Sequence, residues 1–281
     1  MQRFDFTYTP SRGPDRGTCA RYGREAVAIT DAGHYTAPSG KRVDIAAATR
    51  RAIETAKDYR PEADVVAPAI TSKKTVFRVV NGTSLSSARE IAARGVTPLV
   101  LNFASARHPG GGFLNGARAQ EESLARSSAL FATIKDSPMY AFHEERRDAM
   151  YSHWMIHSRD VPVFRDDDSG ALLEEPYLCS FLTTPAPNAG VVLERDPSRG
   201  AEVERVMRER VERALDICAA EGHTHLVLGA WGCGVFQNDP KIVADAFAKS
   251  LGDRFAEVVF AVLDWSDDRH FVRPFVERFA S

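Results

Sequence analysis

Two adjacent carboxyl groups, those of Glu121 and Glu122, could carry out acid–base chemistry in this sequence of 281 residues. Hydrolysis of a glycosidic bond needs an acid that protonates the departing oxygen and a base that activates water, and one well-placed carboxyl group can do both. Because neighbouring side chains on a helix point about 100° apart, we expect different roles for the two residues. Taken alone, such a pair is common in the solvated first turn of any helix, and only its surroundings favour catalysis.

Three consecutive glycines, Gly110, Gly111 and Gly112, precede the carboxyl pair, and seven residues separate them from Gln120. They follow an apolar run that ends at Phe103. A backbone without Cβ atoms can adopt positive φ and present N–H groups to a phosphate or a sugar. The triplet therefore indicates a ligand-binding loop, although a flexible turn would explain it equally well if it stood alone.

A second glycine-rich loop contains Gly232 and Gly234 and follows the apolar residues 225–230. Asp239 and Pro240 suit the cap and the first position of the next helix. The N–H groups and the partial positive charge of a helix N-terminus form a binding site for a diphosphate. Neither loop matches the P-loop or the dinucleotide-binding glycine pattern. Two such loops facing one crevice suit a ligand with a pyrophosphate and flanking riboses.

The segments that must position these loops alternate between strands and helices. The sequence predicts strands at residues 76–80, 98–103, 177–183, 225–230 and 258–263. It predicts helices at residues 84–94 and 198–220 and a helix that begins near Gln120. This alternation indicates an α/β fold, a mainly parallel or mixed sheet covered by helices, in which ligands bind at the carboxyl ends of the strands.

The first 70 residues differ in pattern from the rest. We interpret residues 1–70 as an N-terminal extension that packs, within one compact unit, on a catalytic domain of residues 71–281. Within the extension, residues 27–43 suggest a small hairpin, and residues 45–59 suggest an amphipathic helix. Farther along, the acidic residues 166–168 and the Ser-Gly pair after them predict a solvated turn.

The charge balance and the apolar content exclude several classes of protein. Lys and Arg number 36 against 38 Asp and Glu, a net charge of −2, so no direct nucleic-acid binding is expected. The apolar runs are far shorter than the ~20 residues of a membrane-spanning helix. Residues 1–14 lack the apolar stretch of a secretion signal, so we expect a cytoplasmic protein.

Neither a disulfide scaffold nor a metal centre is expected. The pairs His153/His157 and His223/His225 lack an evident third ligand. The cysteines follow no C-x-x-C pattern and are interpreted as reduced thiols, with the last one a small filler of the second glycine loop; they are Cys19, Cys179, Cys218 and Cys233. No metal and no cofactor are therefore required.

The glycine triplet, the seven-residue spacer and Gln120-Glu121-Glu122 resemble the signature of the poly(ADP-ribose) glycohydrolase family. Residues 102–107, 232–236 and 38–40 resemble its bacterial type, and the likeness extends over about residues 30–265. The resemblance implies a three-layer α/β/α macrodomain-like mixed sheet with an N-terminal extension. It also implies hydrolysis of the ribose–ribose O-glycosidic bonds of poly(ADP-ribose), which releases ADP-ribose.

The same resemblance implies a role for each site residue. Glu122 would be the general acid and base, and Glu121 would orient the distal ribose through its hydroxyl groups. Val235 and Phe236 would pack on that ribose, and the second glycine loop would hold the diphosphate. The other residues expected to bind substrate are Asn102, Gly110, Gly111, Gly112, Gln120, Gly232 and Gly234.

An aromatic ring must also cover the adenine. Phe271 and Phe275 are candidates, with core packing as the alternative for each. Many macrodomains and larger glycohydrolases have Asn about where Ser105 stands, so no Asn role is assigned to that position.

Two other functions stay open at this level. The same loops could bind ADP-ribose as a reader without turnover, although Gln120-Glu121-Glu122 argues against this. A macrodomain hydrolase could instead act on mono-ADP-ribosylated substrates. The expected partners are ADP-ribose, poly(ADP-ribose) and poly-ADP-ribosylated proteins, bound by a monomer that reverses ADP-ribosylation in the DNA damage response.

Overall fold

Seven of the strands form one mixed sheet in the computed structural model, which describes residues 4–67 and 74–280. The strands are β1 (His34–Thr36), β2 (Arg42–Asp44), β3 (Lys57–Tyr59), β4 (Val76–Val80), β5 (Leu99–Phe103), β6 (Met155–Arg165), β7 (Leu172–Thr184), β8 (His225–Leu228) and β9 (Glu257–Ala261). Their order across the sheet is β3-β6-β7-β5-β8-β9-β4, and β1 and β2 form a separate hairpin. Strands β7, β5, β8, β9 and β4 are parallel, and β6 is antiparallel to both of its neighbours.

Helices cover both faces of this sheet. The helices are α1 (Arg16–Ala32), α2 (Ala46–Glu54), α3 (Ser84–Ala92), α4 (Gln120–Ser127), α5 (Leu130–Ile134), α6 (Met139–Arg146), α7 (Ala189–Arg195), α8 (Gly200–Ala220), α9 (Pro240–Leu251) and α10 (Arg273–Phe279). Alternate residues of a strand face opposite sides. In β5, Leu99 and Leu101 therefore pack in the cluster that contains α8, α9 and α10, whereas Val100 packs with α1 to α6. The predicted three-layer α/β/α fold with a mixed sheet is confirmed.

The winding of the chain diverges between β5 and β8, which are neighbours in the sheet. The chain after β5 leads to α4 on one face, and the chain after β8 leads to α9 on the other. Such a divergence opens a crevice at the carboxyl ends of the two strands, where ligands bind in open α/β sheets. Both glycine loops leave the sheet at this crevice.

The elements around the crevice agree closely with their predictions. Helix α3 begins at Ser84, α4 begins at Gln120 and α8 ends at Ala220, as the sequence indicates. Strand β7 is longer than predicted and begins at Leu172, because its first half continues the antiparallel pairing with β6 beyond the central sheet.

The N-terminal extension differs in part from its prediction. Residues 27–29, expected to start a hairpin, lie in α1, which ends at Ala32 and is capped by Gly33 in the left-handed conformation with φ 73°. The later half of the predicted hairpin is confirmed, since Tyr35 pairs with Val43 between β1 and β2.

The helix predicted at residues 45–59 is shorter in the structure. Helix α2 ends at Glu54, and Lys57–Tyr59 form β3 because they pair with the edge of β6. The extension thus adds a strand to the main sheet. The predicted boundary between residues 70 and 71 lies outside the described residues, and the division into two parts stays a prediction.

The four cysteines and one histidine of each predicted pair, His157 and His223, are buried. All four cysteines are buried and unpaired. His157 contacts His223, Nε2 to Nε2, at 2.8 Å. Within residues 4–67 and 74–280, no helix is long and apolar enough to cross a membrane, and no group of three or more His, Cys, Asp or Glu side chains is arranged to hold a metal ion.

Candidate active site

The loop after β5 folds back over the start of α4 and holds both carboxyl groups. The N–H of Gly112 donates to Oε1 of Glu122 at 2.9 Å. The N–H groups of Gly110 and Ser105 donate to Oε1 and Oε2 of Glu121, at 3.2 and 2.6 Å. Both side chains are buried. Each carboxyl group therefore has its own backbone donors and a fixed position in the loop.

Gly111 explains why this loop requires glycine. Its φ is +58°, and a Cβ there would lie 2.3 Å from Oε1 of Glu122. An L-residue would be strained in this conformation and would also displace the carboxyl group. The glycine triplet is thus a cradle built around Glu122 rather than a flexible turn.

The second oxygen of Glu122, Oε2, is buried and has no hydrogen-bond partner among the described residues. A buried polar atom without a partner is costly, at about 1–3 kcal/mol, unless a ligand group or a proton satisfies it. One oxygen of Glu122 is therefore held by the loop, and the other is left available for chemistry.

Glu121 is the carboxyl group whose pKa departs most from its ordinary value. Burial is the main cause and raises the pKa of Glu121 to about 8, and the charge of Glu122 raises it further, while the N–H of Ser105 opposes the rise. The pKa of Glu121 therefore lies well above the ordinary range of a carboxyl group.

Two predicted substrate contacts, Asn102 and Gln120, lie at the base of this loop. Asn102 is fully buried and donates through Nδ2 to Oγ1 of Thr183 at 3.1 Å, and its Oδ1 has no partner in the described part of the chain. The amide of Gln120 accepts from the N–H of Phe103 and donates to the carbonyl of Leu101. These bonds fasten α4 to β5, and the predicted contacts with substrate stay predictions.

The second loop, after β8, is fixed by a buried amide. Nδ2 of Asn238 donates to the carbonyls of Gly232 and Pro187, at 3.0 and 2.8 Å. A Cβ at Gly232, where φ is +71°, would lie 2.6 Å from that Nδ2. Asp239 caps α9 by accepting from the N–H of Lys241, as the sequence predicts.

The outer part of the second loop is open. Gly234 is exposed, and a Cβ there would meet nothing within 4 Å. Val235 is 80% exposed, and Phe236 is half-buried against the core. Cys233 is buried, which raises the pKa of its thiol well above the usual range, so it is a filler rather than a nucleophile.

The two aromatic candidates for covering the adenine differ in burial. Phe275 is fully buried, and its ring lies 5.2 Å from that of Phe260 in the core. Phe271 is only half-buried, and its N–H donates to Oδ2 of Asp264. Phe275 therefore takes the core-packing alternative, and Phe271 stays the candidate.

Helix α1 supports the back of residues 104–119, the loop between β5 and α4, here named the catalytic loop because it holds both carboxyl groups. The sequence did not reveal this role. A Cβ at Gly23 would lie 2.6 Å from the carbonyl oxygen of Phe113, and one at Gly116 would lie 2.0 Å from that of Arg16. Nε of Arg16 also donates to the carbonyl of Asn115 at 3.1 Å. Gly23 was the available sequence signal for this contact, because a glycine in a helix interior marks a close approach of another backbone segment.

The acidic turn between β6 and β7 is confirmed as a turn, but one of its side chains is not solvated as predicted. The carboxylate of Asp167 accepts from Oγ1 of Thr83 at 3.1 Å and from Oγ of Ser123 at 3.3 Å. Burial is the main cause that raises the pKa of Asp167 to about 6. The turn therefore packs against the residue that follows Glu122.

The chain is similar to known proteins in both sequence and structure. Residues 23–166 match the family described as microbial-type PARG, catalytic domain. The structure is similar to that of poly(ADP-ribose) glycohydrolase from Thermomonospora curvata, with 45% identity, a TM-score of 0.89, and coverage of 94% of this chain and 100% of that chain.

Two ligand complexes are also similar. The Thermomonospora curvata glycohydrolase bound to the inhibitor ADP-HPD has 44% identity and a TM-score of 0.86 over 94% of this chain and 100% of that chain. Poly(ADP-ribose) glycohydrolase from Deinococcus radiodurans in complex with ADP-ribose has 37% identity and a TM-score of 0.78 over 82% of this chain and 96% of that chain. A comparison with curated proteins gives no match.

Proposed function

This chain belongs to the microbial-type poly(ADP-ribose) glycohydrolase family and is a glycoside hydrolase that acts on poly(ADP-ribose), and we propose that Glu122 is the general acid and base of its reaction. The observation that carries this proposal is the buried Oε2 of Glu122, which no described group engages, while the N–H of Gly112 holds the other oxygen. A reactive carboxyl group needs this combination of a fixed position and an oxygen without a hydrogen-bond partner.

The proposed reaction has two steps. In the first, Oε2 of Glu122 gives its proton to the oxygen that links the two riboses as the bond from that oxygen to C1 of the distal ribose breaks. The oxocarbenium charge on the ribose is stabilised by the diphosphate of the substrate. In the second step, the Glu122 carboxylate takes a proton from a water molecule whose oxygen bonds to C1. ADP-ribose is released, and Glu122 is protonated again.

The neighbouring residues would orient the substrate. Glu121 is held by the N–H groups of Gly110 and Ser105 and can form a hydrogen bond with a hydroxyl group of the distal ribose. Val235 and Phe236 offer apolar surface to the same ribose, and the open backbone around Gly234 suits the diphosphate.

The first test is product analysis of the wild type and Glu122→Gln after incubation with poly(ADP-ribose) and, separately, with a mono-ADP-ribosylated protein. Gln keeps the shape of Glu but cannot transfer the proton. We expect the wild type to release ADP-ribose from the polymer, and Glu122→Gln to do so at least ~10²-fold more slowly. ADP-ribose binding, measured by calorimetry, should be retained by the variant.

Two outcomes would contradict this proposal. If both proteins bind ADP-ribose and neither releases it, the protein is a reader. If release occurs only from the mono-ADP-ribosylated protein, the leaving group is different from the one proposed.

Further proposals concern the cellular setting. Poly-ADP-ribosylated proteins are the proposed physiological substrates, bound by a cytoplasmic monomer that reverses ADP-ribosylation in the DNA damage response. Size-exclusion chromatography with light scattering tests the monomer, and cell fractionation tests the location.

A further inference from the structure

In the proposed function the two glycine loops hold two parts of one ligand, yet they leave different strands and lead to helices on different faces of the sheet. The neighbouring strands β5 and β8 fix where the loops begin, and contacts outside the sheet act on the loops themselves. Helix α6 and the segment 147–153 after it lie between the loops and make contacts with both.

His143, on α6, makes the first contact. Its side chain is 1% exposed, and its Nδ1 lies 3.2 Å from the carbonyl oxygen of Ala106 in the catalytic loop. Because a carbonyl can only accept, Nδ1 carries the proton and Nε2 is the acceptor. The N–H and Oγ of Ser152 lie 3.1 and 2.7 Å from Nε2 and donate to it. Burial lowers the pKa of His143 to about 4, which favours the neutral ring at neutral pH.

Tyr151 makes the second contact. Its ring centre lies 5.6 Å from that of His143 and 5.9 Å from that of Phe236 in the second loop. Its φ is 56°, a left-handed conformation that is uncommon for a bulky residue and is kept only where the surroundings impose it.

Arg210, on α8, holds this segment in place. The guanidinium is fully buried and donates to the carbonyls of Met150 and Pro185, at 2.9 and 2.8 Å. No carboxylate among the described residues forms an ion pair with it within 4 Å, so these carbonyls are its principal compensation for lost hydration. A buried cation placed on two loop carbonyls strongly restrains the residue next to Met150, which is Tyr151.

We propose that Tyr151 is a positioning residue that fixes Phe236 relative to the catalytic loop, with His143 joining Tyr151 to that loop. This inference rests on the proposed function, in which Phe236 packs on the distal ribose. The ribose that contacts Phe236 is the one whose C1 reacts, so a shift of the ring misaligns C1 with Glu122. Such misalignment slows the chemical step, whereas the binding of the adenine and the diphosphate changes little. It therefore lowers kcat more than it raises KM.

A double-mutant cycle tests this proposal with Tyr151→Asn and Phe236→Ala, singly and together, on poly(ADP-ribose). Asn tolerates the left-handed conformation, so the variant removes the ring without backbone strain. We expect Tyr151→Asn to lower kcat at least ~10-fold in the wild-type background and less than ~2-fold when Phe236 is already Ala, since coupled residues are not additive. Tyr151→Phe, which keeps the ring, should restore most of the activity.

The proposal is wrong if the substitutions at Tyr151 and Phe236 affect kcat independently. If Tyr151→Asn slows the Phe236→Ala enzyme as much as it slows the wild type, Tyr151 does not act through Phe236. A raised KM with unchanged kcat would also contradict a positioning role. If Tyr151→Asn does not fold, as judged by thermal melting, His143→Asn tests the other end of the connection. The Asn amide can donate to the carbonyl of Ala106, but Asn has no acceptor at the position of Nε2. We expect the same loss of kcat for this variant.

Failure of the proposed function gives a different result. If the wild type releases no ADP-ribose from polymer, the glycohydrolase proposal fails by itself, and the same cycle is measured as affinity for ADP-ribose. Non-additive affinities then support the connection between the loops, and additive affinities overturn it.

Discussion

Glycine serves two different physical purposes in the two loops. At Gly111 a Cβ would collide with Glu122, so the absence of a side chain serves the protein itself. At Gly234 a Cβ would project into open space, and φ is not positive, so the fold does not require glycine there. The open space at Gly234 therefore leaves room for the diphosphate that we propose binds there.

Gly234→Ala should separate binding from folding. We expect the free energy of unfolding to change by less than about 0.5 kcal/mol, as for an ordinary surface substitution. ADP-ribose affinity should fall at least ~10-fold, because the methyl group occupies space proposed for the diphosphate. Denaturant unfolding and calorimetric titration measure the two quantities. An unchanged affinity would place the diphosphate elsewhere.

Gly111→Ala is the matched comparison in the other loop. The left-handed backbone and the contact with Glu122 should lower the free energy of unfolding by about 1–3 kcal/mol. Turnover should fall as well, because the carboxyl group is displaced. A variant that is as stable and as active as the wild type would contradict the assignment of this loop as the cradle of Glu122.

Residue types that signal chemistry could be identified from the sequence, and residues that act through tertiary contacts could not. One short segment, residues 110–122, contains the glycine triplet and both carboxyl residues, so their proximity follows from chain connectivity. Tyr151 has no such signal, because its left-handed conformation is imposed by neighbours distant in sequence. His143 likewise bonds to a carbonyl 37 residues away, which no local pattern encodes.

At the scale of elements, α1 is an integral support of the catalytic loop. Gly23 lies in the helix interior, where Ala would ordinarily be more stable by about 1 kcal/mol. Here the added methyl group would lie 2.6 Å from the carbonyl oxygen of Phe113, a backbone atom that cannot rotate away. The close approach therefore outweighs the helix preference.

Gly23→Ala should consequently lower both stability and activity. The change pushes the turn at residues 113–115 away from α1, and the displacement reaches the adjacent Gly112 and its bond to Glu122. We expect a decrease of the melting temperature and of kcat. Gly200→Ala in α8 is the control, since a Cβ there meets nothing within 4 Å and the melting temperature should stay constant or rise. A Gly23→Ala protein that behaves like this control would show that α1 does not support the loop.

Prediction of the elements succeeded where the apolar period was clear. The central strands and α8 were found because they are buried on both faces or have a regular apolar stripe. Helix α1 is not predicted, because the apolar residues 27–29 favour a strand. In the structure the helix is stabilised at its ends by the cap of Asp15 and the left-handed Gly33. Strand β3 was missed because a three-residue edge strand depends on its partner β6 rather than on its own sequence.

For the whole molecule, several buried histidines make stability depend on pH. Burial is the main cause that lowers the pKa of His157 and His143 to about 4 and that of His223 to about 3. The unfolded chain binds a proton at each of these sites near pH 6.5, whereas the folded protein keeps them neutral. Their contribution to stability is therefore fully present above pH 6.5 and is lost as the pH falls towards 4.

The contact between His157 and His223 accounts for part of this dependence. Nδ1 of His157 lies 3.5 Å from Oε2 of Glu221, and its Nε2 shares one hydrogen bond with Nε2 of His223, which needs one donor and one acceptor. Protonating both rings would set two N–H donors against each other at 2.8 Å. Each histidine that is protonated only on unfolding contributes up to about 1.4 kcal/mol per pH unit.

We expect His157→Gln/His223→Gln to lose less unfolding free energy than the wild type between pH 6.5 and 4.5, as measured by urea denaturation at each pH. An equal loss in both proteins would mean that the acid sensitivity comes from other groups, with His143 the next to be replaced.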